Sequence, residues 1–240
     1  IRRMKLPADP LVFGFWKVPK DVCANVCYDA IVAGYRRLDC ACDYGNEEEV
    51  GIGLKRAFDE GVVKREDLFI TSKLWNTFHQ PEHVPLAMEK TLKDLQLSYV
   101  DEYLIHFPIS MEYVAIDKKY PPEWTNLDGK MVLISNDICG GTWKAMEDLV
   151  DKGLTKTIGI CNFATQMIRQ LLSTCRILPS TLQVELHPHN SQEKLIRFAK
   201  EADMKITAFS VLGASSYLEL NMATDDDVLV KDITIASIAE

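Results

Sequence analysis

Residues 68–106 read LFITSKLWNTFHQPEHVPLAMEKTLKDLQLSYVDEYLIH, and they contain a complete strand-helix-strand pattern. Residues 68–72 and 100–106 are short runs rich in branched and aromatic apolar side chains, which is typical of buried strands. Residues 84–95 carry apolar side chains at the three- and four-residue spacing of an amphipathic helix. A helix between two such strands favours a parallel β-α-β unit.

The same alternation repeats along the chain. Strands are predicted at residues 12–16, 36–40, 68–72, 100–106, 157–160, 181–185 and 205–209. Helices are predicted at residues 22–33, 47–59, 84–95, 142–151, 165–173 and 192–201. The strands begin 24, 32, 32, 57, 24 and 24 residues apart, and five of these six intervals are one strand-helix unit long. The long interval is interrupted by prolines and glycines, and it predicts an extended loop at the carboxyl edge of the sheet, where functional residues commonly lie.

The length of the chain bears directly on the fold. A closed (β/α)8 barrel typically needs roughly 250 residues, and this chain has 240. Seven strands are predicted, and residues 232–240 predict a helix at which the sequence stops. The pattern leaves two α/β folds open: an open, doubly wound parallel sheet, or a barrel whose eighth unit is absent.

Composition and charge exclude several classes of protein. The formal charge is −8, from 27 Lys and Arg against 35 Asp and Glu, which is a poor match for a nucleic-acid backbone. No apolar run approaches the roughly 20 residues that span a bilayer, and the first residues do not resemble a signal peptide. The seven cysteines are scattered and odd in number, which predicts reduced thiols and a cytoplasmic protein. The charge and the lack of a long apolar run predict no nucleic-acid or membrane partner.

Four polar residues lie at or just after the ends of consecutive predicted strands: Asp39, Tyr44, Lys73 and His106. In a barrel these ends meet at one mouth, where the four residues would form an acid-base site. A lysine beside a phenol is expected to lower the tyrosine pKa, and the aspartate would hold the lysine charged. Taken alone, each residue is more commonly a solvated loop charge, a local cap or a structural histidine, and it is their joint placement at one edge that favours the site.

Four longer motifs resemble the aldo-keto reductase family. They are residues 34–41 (GYRRLDCA) followed by Glu47 and residues 50–51, then residues 64–76 (KREDLFITSKLWN), 104–108 (LIHFP) and 156–163 (KTIGICNF). Residues 44–47 (YGNE), 112–114 (EYV) and 119–122 (KYPP) are similar to the fungal D-xylose (aldose) reductases of that family. The resemblance covers residues 11–240.

The resemblance implies a single (β/α)8 TIM-barrel domain over residues 1–240, and it favours the barrel over the open sheet. The implied reaction is reduction of an open-chain aldose, D-xylose to xylitol, by NADPH or NADH without a metal. Tyr44 would protonate the carbonyl oxygen, Lys73 and Asp39 would tune Tyr44, and His106 would orient the carbonyl. The implied partner is the small aldose, and the protein would be a monomer or homodimer.

The resemblance also places the two ligands. Asn162 and Gln183 match residues that hold the nicotinamide carboxamide, although Gln183 and Phe209 are also compatible with ordinary barrel lining. The positions matched to cofactor binding are Cys161, Asn162, Gln183, Phe209, Ser210, Leu212 and Glu219, with Phe209 stacking on the nicotinamide ring, Ser210 and Leu212 near the pyrophosphate and Glu219 near the adenosine ribose. The positions matched to the substrate pocket are Trp16, Asp43, Trp75, His106 and Phe107, which suit a polyol because carboxylates accept hydroxyl hydrogen bonds and rings cover C–H faces.

Some features depart from the family pattern. Cys161 replaces a common serine, and a thiol is the weaker hydrogen-bonding group. The family segment that grips the adenosine 2′-phosphate and the C-terminal substrate loop do not occur in the sequence, so the choice between NADPH and NADH stays open and we expect the barrel to be incomplete at its C-terminal end. Two other functions are compatible with a barrel: a catalytically silent nucleotide-binding subunit, and an isomerase or aldolase that uses Lys73 as a Schiff base, which the neighbouring Asp39 disfavours.

Overall fold

A computed structural model describes residues 10–224 and 228–239. Its core is one parallel sheet in which seven strands follow one another in chain order. The strands are β1 (Phe13–Gly14), β2 (Arg37–Asp39), β3 (Phe69–Leu74), β4 (Val100–Ile105), β5 (Thr155–Cys161), β6 (Thr181–Glu185) and β7 (Lys205–Phe209). All seven predicted strands are therefore confirmed.

A helix follows each strand. The helices are α1 (Lys20–Val32), α2 (Glu47–Asp59), α3 (Val84–Leu95), α4 (Trp143–Asp151), α5 (Thr165–Thr174), α6 (Glu193–Glu201) and α7 (Ile233–Ala239). The bounds of α2 and α3 agree with the prediction because apolar periodicity and the flanking residues both mark their ends. A π-helical turn at Ile138–Thr142 precedes α4, and helical periodicity cannot reveal such a turn.

The strand order identifies the fold. A doubly wound sheet reverses its order at a switch point, whereas neighbours in strict chain order are those of a (β/α)8 barrel. Seven units of that barrel are present in residues 10–224 and 228–239, and these residues contain no eighth strand. Every residue of β3 and β4 is buried, while β7 is half-buried and Lys205 is exposed. The expected barrel and its seven units are confirmed.

The first strand is shorter than predicted. Residues 12–16 were expected to be extended, but β1 ends at Gly14. The amide of Val18 donates to the carbonyl of Phe15, and Lys17 has a left-handed φ of 63°, so the chain turns immediately. This turn places Trp16 in a loop at the barrel mouth.

Residues 106–137 form the predicted loop after β4. The loop has internal structure, since Met111 pairs with Leu133 and the amide of Ile134 donates to the carbonyl of Ser110. It ends where the Asp137 side chain accepts a hydrogen bond from the amide of Gly140. The amide of Met111 also donates to the carbonyl of Asn76, just after β3, so the loop is held at the carboxyl end of that strand.

Three further features concern the cysteines, metal binding and membrane insertion. All seven cysteines are free thiols, and all except the half-buried Cys175 are buried. Across residues 10–224 and 228–239, no cluster of three or more His, Cys, Asp or Glu side chains could hold a metal ion. None of the helices in this part of the chain is long and apolar enough to cross a bilayer.

Candidate active site

Three strands and one short turn deliver the four polar residues to the mouth. Asp39 is the last residue of β2, Lys73 lies one residue before the end of β3, and His106 follows β4. Tyr44 ends a 3-10 turn at Cys42–Tyr44. Gly45 closes that turn with a left-handed φ of 74°, and a Cβ there would lie 2.9 Å from Cγ of Pro121. Both the backbone angle and the lack of space therefore favour glycine at this position.

Lys73 is the centre of the site. Its Nζ donates to Asp39 Oδ2 at 2.8 Å, to the Tyr44 hydroxyl at 2.9 Å and to the Cys40 carbonyl at 2.8 Å. An ammonium has three N–H donors, and all three have a partner here. The side chain of Lys73 is fully buried, so these contacts replace its hydration.

The protonation states follow from burial and charge. Burial by itself lowers the pKa of Lys73, but the attraction of Asp39 and Tyr44 outweighs it and holds the Lys73 pKa well above its usual value. Burial raises the pKa of Tyr44 well above its usual value, and the nearby Lys73 opposes that rise only in part. Lys73 therefore lowers the Tyr44 pKa as expected, but desolvation is the larger effect, so the net pKa of Tyr44 lies above its usual value.

The charged state of Lys73 bears on the Schiff-base alternative. A Schiff-base lysine needs a neutral amine, usually obtained by desolvation or a neighbouring cation. Lys73 instead has an anion at 2.8 Å and a raised pKa. The geometry therefore argues against an isomerase or aldolase mechanism through Lys73.

His106 lies beside Tyr44 and Asp43. Its ring meets the Tyr44 ring edge to face with centroids 5.9 Å apart. Its Nδ1 is 3.0 Å from Asp43 Oδ1, a close contact whose angle is poor for a hydrogen bond. Asp43 was expected to line the substrate pocket, and the structure places its carboxylate against the His106 ring at the mouth.

A wall of aromatic rings continues from His106. The Phe107 ring stacks on the His106 ring at 4.8 Å, and the Trp75 ring meets both of them edge to face. Trp124, from the long loop, completes the wall at 4.8 Å from Trp75 and 5.1 Å from Phe107. Sequence reasoning missed Trp124, because a loop has no periodicity that shows which residue folds back; its place two residues after residues 119–122 (KYPP) is the available signal.

Trp16 lies on a different part of the mouth. Its ring packs against Tyr217 with centroids 5.7 Å apart, and Lys17 beside it pairs with Glu219 at 3.3 Å. Tyr217 and Glu219 belong to the 3-10 segment Ala214–Leu220 after β7. These contacts join the loop after β1 to the loop that carries the expected cofactor residues.

The expected carboxamide-binding residues lie beside the Lys73 centre. Gln183 Nε2 donates to Asp39 Oδ1 at 3.0 Å, and Cys161 Sγ donates to Gln183 Oε1 at 3.3 Å. Asn162 has a left-handed φ of 62°, and its side-chain Nδ2 donates to the His106 carbonyl at 2.9 Å. Gln183 therefore contacts the acid-base group itself, which the sequence did not predict.

The remaining expected cofactor residues follow β7. Phe209 is half-buried at the end of the strand, Ser210 has a left-handed φ of 51°, and Leu212 is exposed. Side-chain amides that contact Asp39 and the His106 carbonyl, with an aromatic ring at the end of β7, are groups suited to a nicotinamide. The donor set thus fits this cofactor.

Comparison with known proteins agrees with this geometry. The family model described as aldo/keto reductase family matches residues 10–229. A probable NAD(P)H-dependent D-xylose reductase of Arthroderma otae is 50% identical over 236 residues, which are 97% of this chain and 72% of that protein. An NADH-dependent D-xylose reductase of Candida parapsilosis is 50% identical over 96% of this chain and 72% of its own length. An NADPH-dependent D-xylose reductase of Candida boidinii is 47% identical over 98% of this chain and 74% of its own length.

The barrel order, the buried Lys73 bonded to Asp39 and Tyr44, and these matches define one class of oxidoreductase. The chain belongs to the aldo/keto reductase family.

Proposed function

We propose that this protein reduces the aldehyde of an open-chain aldose, D-xylose to xylitol, with NADPH or NADH as reductant. The observation that carries the proposal is the Tyr44 hydroxyl held 2.9 Å from a fully buried, charged Lys73. The relatives named as D-xylose reductases support the substrate class.

Tyr44 acts as the proton donor in this proposal. Its raised pKa keeps the phenol protonated at neutral pH, so a proton is available to the carbonyl oxygen. When the proton leaves, a phenolate forms beside the Lys73 ammonium, which stabilises the new negative charge. Asp39 holds Lys73 in place through its 2.8 Å contact.

A reduced nicotinamide, when bound, would supply a hydride to the carbonyl carbon; with the proton from Tyr44 the aldehyde would become an alcohol and the cofactor would be left oxidised. Asn162 and Gln183 would hold the carboxamide of that cofactor, and Cys161 would orient Gln183 through the 3.3 Å contact. Phe209 would cover the ring, Ser210 and Leu212 would lie near the pyrophosphate, and Glu219 near the adenosine ribose.

His106 orients the substrate carbonyl, and Asp43 orients His106. The rings of Trp75, Phe107 and Trp124 form a wall against which the C–H faces of a sugar can pack. We further propose that residues 1–240 belong to one barrel domain, that the protein is cytoplasmic, and that it acts as a monomer or homodimer.

The test is substrate-dependent oxidation of the cofactor. Purified protein is mixed with NADPH or NADH and D-xylose, the loss of reduced cofactor is followed, and the product is identified by chromatography. We expect oxidation that requires the sugar and yields xylitol in equal amount. Cofactor binding without sugar-dependent oxidation would contradict the proposal and favour a silent nucleotide-binding barrel.

A further inference from the structure

Asn46 is a buried polar residue that the proposed reaction does not use. It lies two residues after Tyr44, at the start of α2, and is 1% exposed. Its Nδ2 donates to the Phe15 carbonyl at 2.9 Å and to the Val18 carbonyl at 3.1 Å. Both neighbours are acceptors, so the amide must present its nitrogen, and both of its N–H bonds are used.

The two carbonyls bracket the turn that carries Trp16 and Lys17. The turn is closed by the Val18 amide on the Phe15 carbonyl, and Lys17 has a left-handed φ of 63° that a lysine rarely adopts. A conformation of this kind persists only when surrounding contacts hold it. Asn46 supplies two such contacts from the segment that bears Tyr44.

The Trp16 turn also contacts the segment Ala214–Leu220 across the mouth. Trp16 packs on Tyr217, and Lys17 reaches Glu219 at 3.3 Å. A series of contacts therefore links the Tyr44 segment through Asn46 to the Trp16 turn, and links that turn to the loop after β7. A change at Asn46 would remove the two hydrogen bonds that tie the Trp16 turn to the Tyr44 segment, without altering Tyr44 or Trp16 themselves.

We propose that Asn46 is a positioning residue for sugar specificity, which locks the Trp16 turn to the Tyr44 segment so that a polyol chain extending from the carbonyl meets the Trp16 ring. This inference rests on the proposed aldose reduction. A short aldehyde reaches only Tyr44 and His106, whereas an aldose in this proposal also depends on the Trp16 ring. Loss of Asn46 should therefore affect the aldose more than the short aldehyde.

The test compares D-xylose with propanal in steady-state kinetics. Asn46→Asp keeps the shape of the side chain but removes both donors, and Asn46→Ala removes them without adding charge. We expect the KM for D-xylose to rise about tenfold or more while kcat with propanal stays within about threefold of the wild type. The alanine variant keeps the test usable if the buried aspartate prevents folding.

Asn136→Asp is the matched control. Asn136 also donates to the backbone carbonyl of a buried residue, His79, at 3.0 Å, but from the end of the loop of residues 106–137 and not to the Trp16 turn. The control should lower the melting temperature without changing the ratio of D-xylose to propanal efficiency. Equal losses for both aldehydes in the Asn46 variants, or no change in KM for D-xylose, would overturn the inference. A wild-type protein that oxidises cofactor with neither aldehyde would instead overturn the proposed function.

Discussion

Lys73 shows how burial and pairing compete at a single residue. An ammonium with no exposed surface would lose its proton if it stood alone, because water solvates the charged form far better than a protein interior does. Three acceptors at 2.8 to 2.9 Å reverse that preference. The residue therefore provides a fixed positive charge beside the hydroxyl of Tyr44.

Replacing Lys73 by methionine tests that charge. Lys73→Met keeps the length of the side chain and removes the ammonium, so a phenolate at Tyr44 would lose its stabilising partner. We expect kcat for aldehyde reduction to fall by about 10²- to 10⁴-fold, measured with saturating cofactor. Cofactor affinity, measured by fluorescence titration, should change much less.

Asp39→Asn is the companion variant. It keeps Lys73 next to Tyr44 but removes the anion that holds the lysine. Its loss of kcat should be smaller than that of Lys73→Met. A methionine variant that keeps kcat within about threefold of the wild type would show that the charge of Lys73 is not part of the reaction.

Among the elements, α2 and α3 pack unusually closely. A Cβ at Gly51 of α2 would overlap the carbonyl oxygen of Asp94 and lie 2.9 Å from the carbonyl carbon of Leu95, both in α3. Backbone atoms cannot move aside as a flexible side chain can. Gly51 therefore sets the distance between the two helices behind β3.

Gly51→Ala should destabilise the protein by about 1–3 kcal/mol, measured by urea unfolding, because the added methyl overpacks the helix contact. Gly61→Ala is the control at the other end of α2, where nothing lies within 4 Å but φ is 69°. That change should cost only about 1 kcal/mol, from backbone strain alone. A Gly51 variant that is no less stable than the Gly61 variant would contradict the close packing.

At the scale of elements, the sequence predicted the bounds of regular helices well and predicted irregular segments poorly. The bounds of α2 and α3 were predicted because amphipathic periodicity registers burial of one helix face. The early end of β1 and the π-helical turn before α4 were not, since both arise from tertiary contacts that no local pattern encodes. Asp39 and Lys73 were found by their strand-end positions, whereas Trp124 was not found because it returns from a long loop.

For the whole molecule, Glu47 couples stability to pH. It is 2% exposed, and its carboxyl accepts hydrogen bonds from Ser72 Oγ at 2.6 Å and Thr91 Oγ1 at 3.1 Å. Burial raises its pKa to about 7, despite these hydrogen bonds and the nearby Lys73. Because the folded state binds this proton more tightly than the unfolded state, the contribution of Glu47 to stability falls as pH rises from about 4.5 to about 7.

Glu47→Gln removes this titration and keeps the side-chain shape. The stability of the variant relative to the wild type should increase by about 3 kcal/mol between a pH below 5 and a pH above 7, as measured by urea unfolding. His79, whose pKa burial lowers to about 3, titrates with the opposite sign but is common to both proteins and cancels in the difference. A difference that does not depend on pH would show that Glu47 is not protonated in the folded state.

The fold brings the Tyr44 hydroxyl, the Lys73 ammonium and the aromatic wall to one mouth. Of the properties of this site, the net pKa of Tyr44 is the hardest to predict from the sequence. Residue types predict the effect of Lys73 on Tyr44, but the larger effect of burial depends on how the loop of residues 106–137 covers the turn, with Pro121 against Gly45. The role of Tyr44 as a protonated donor therefore depends on the complete packing of the mouth.

Single-turnover reduction of D-xylose by the wild type and by Tyr44→Phe, with cofactor affinity measured in parallel, tests the central claim most directly. The phenylalanine variant keeps the ring and loses only the hydroxyl that contacts Lys73. We predict that it binds NADPH as the wild type does and transfers hydride to D-xylose at least about 10³-fold more slowly. Hydride transfer at the wild-type rate in Tyr44→Phe would contradict the assignment of Tyr44 as the proton donor.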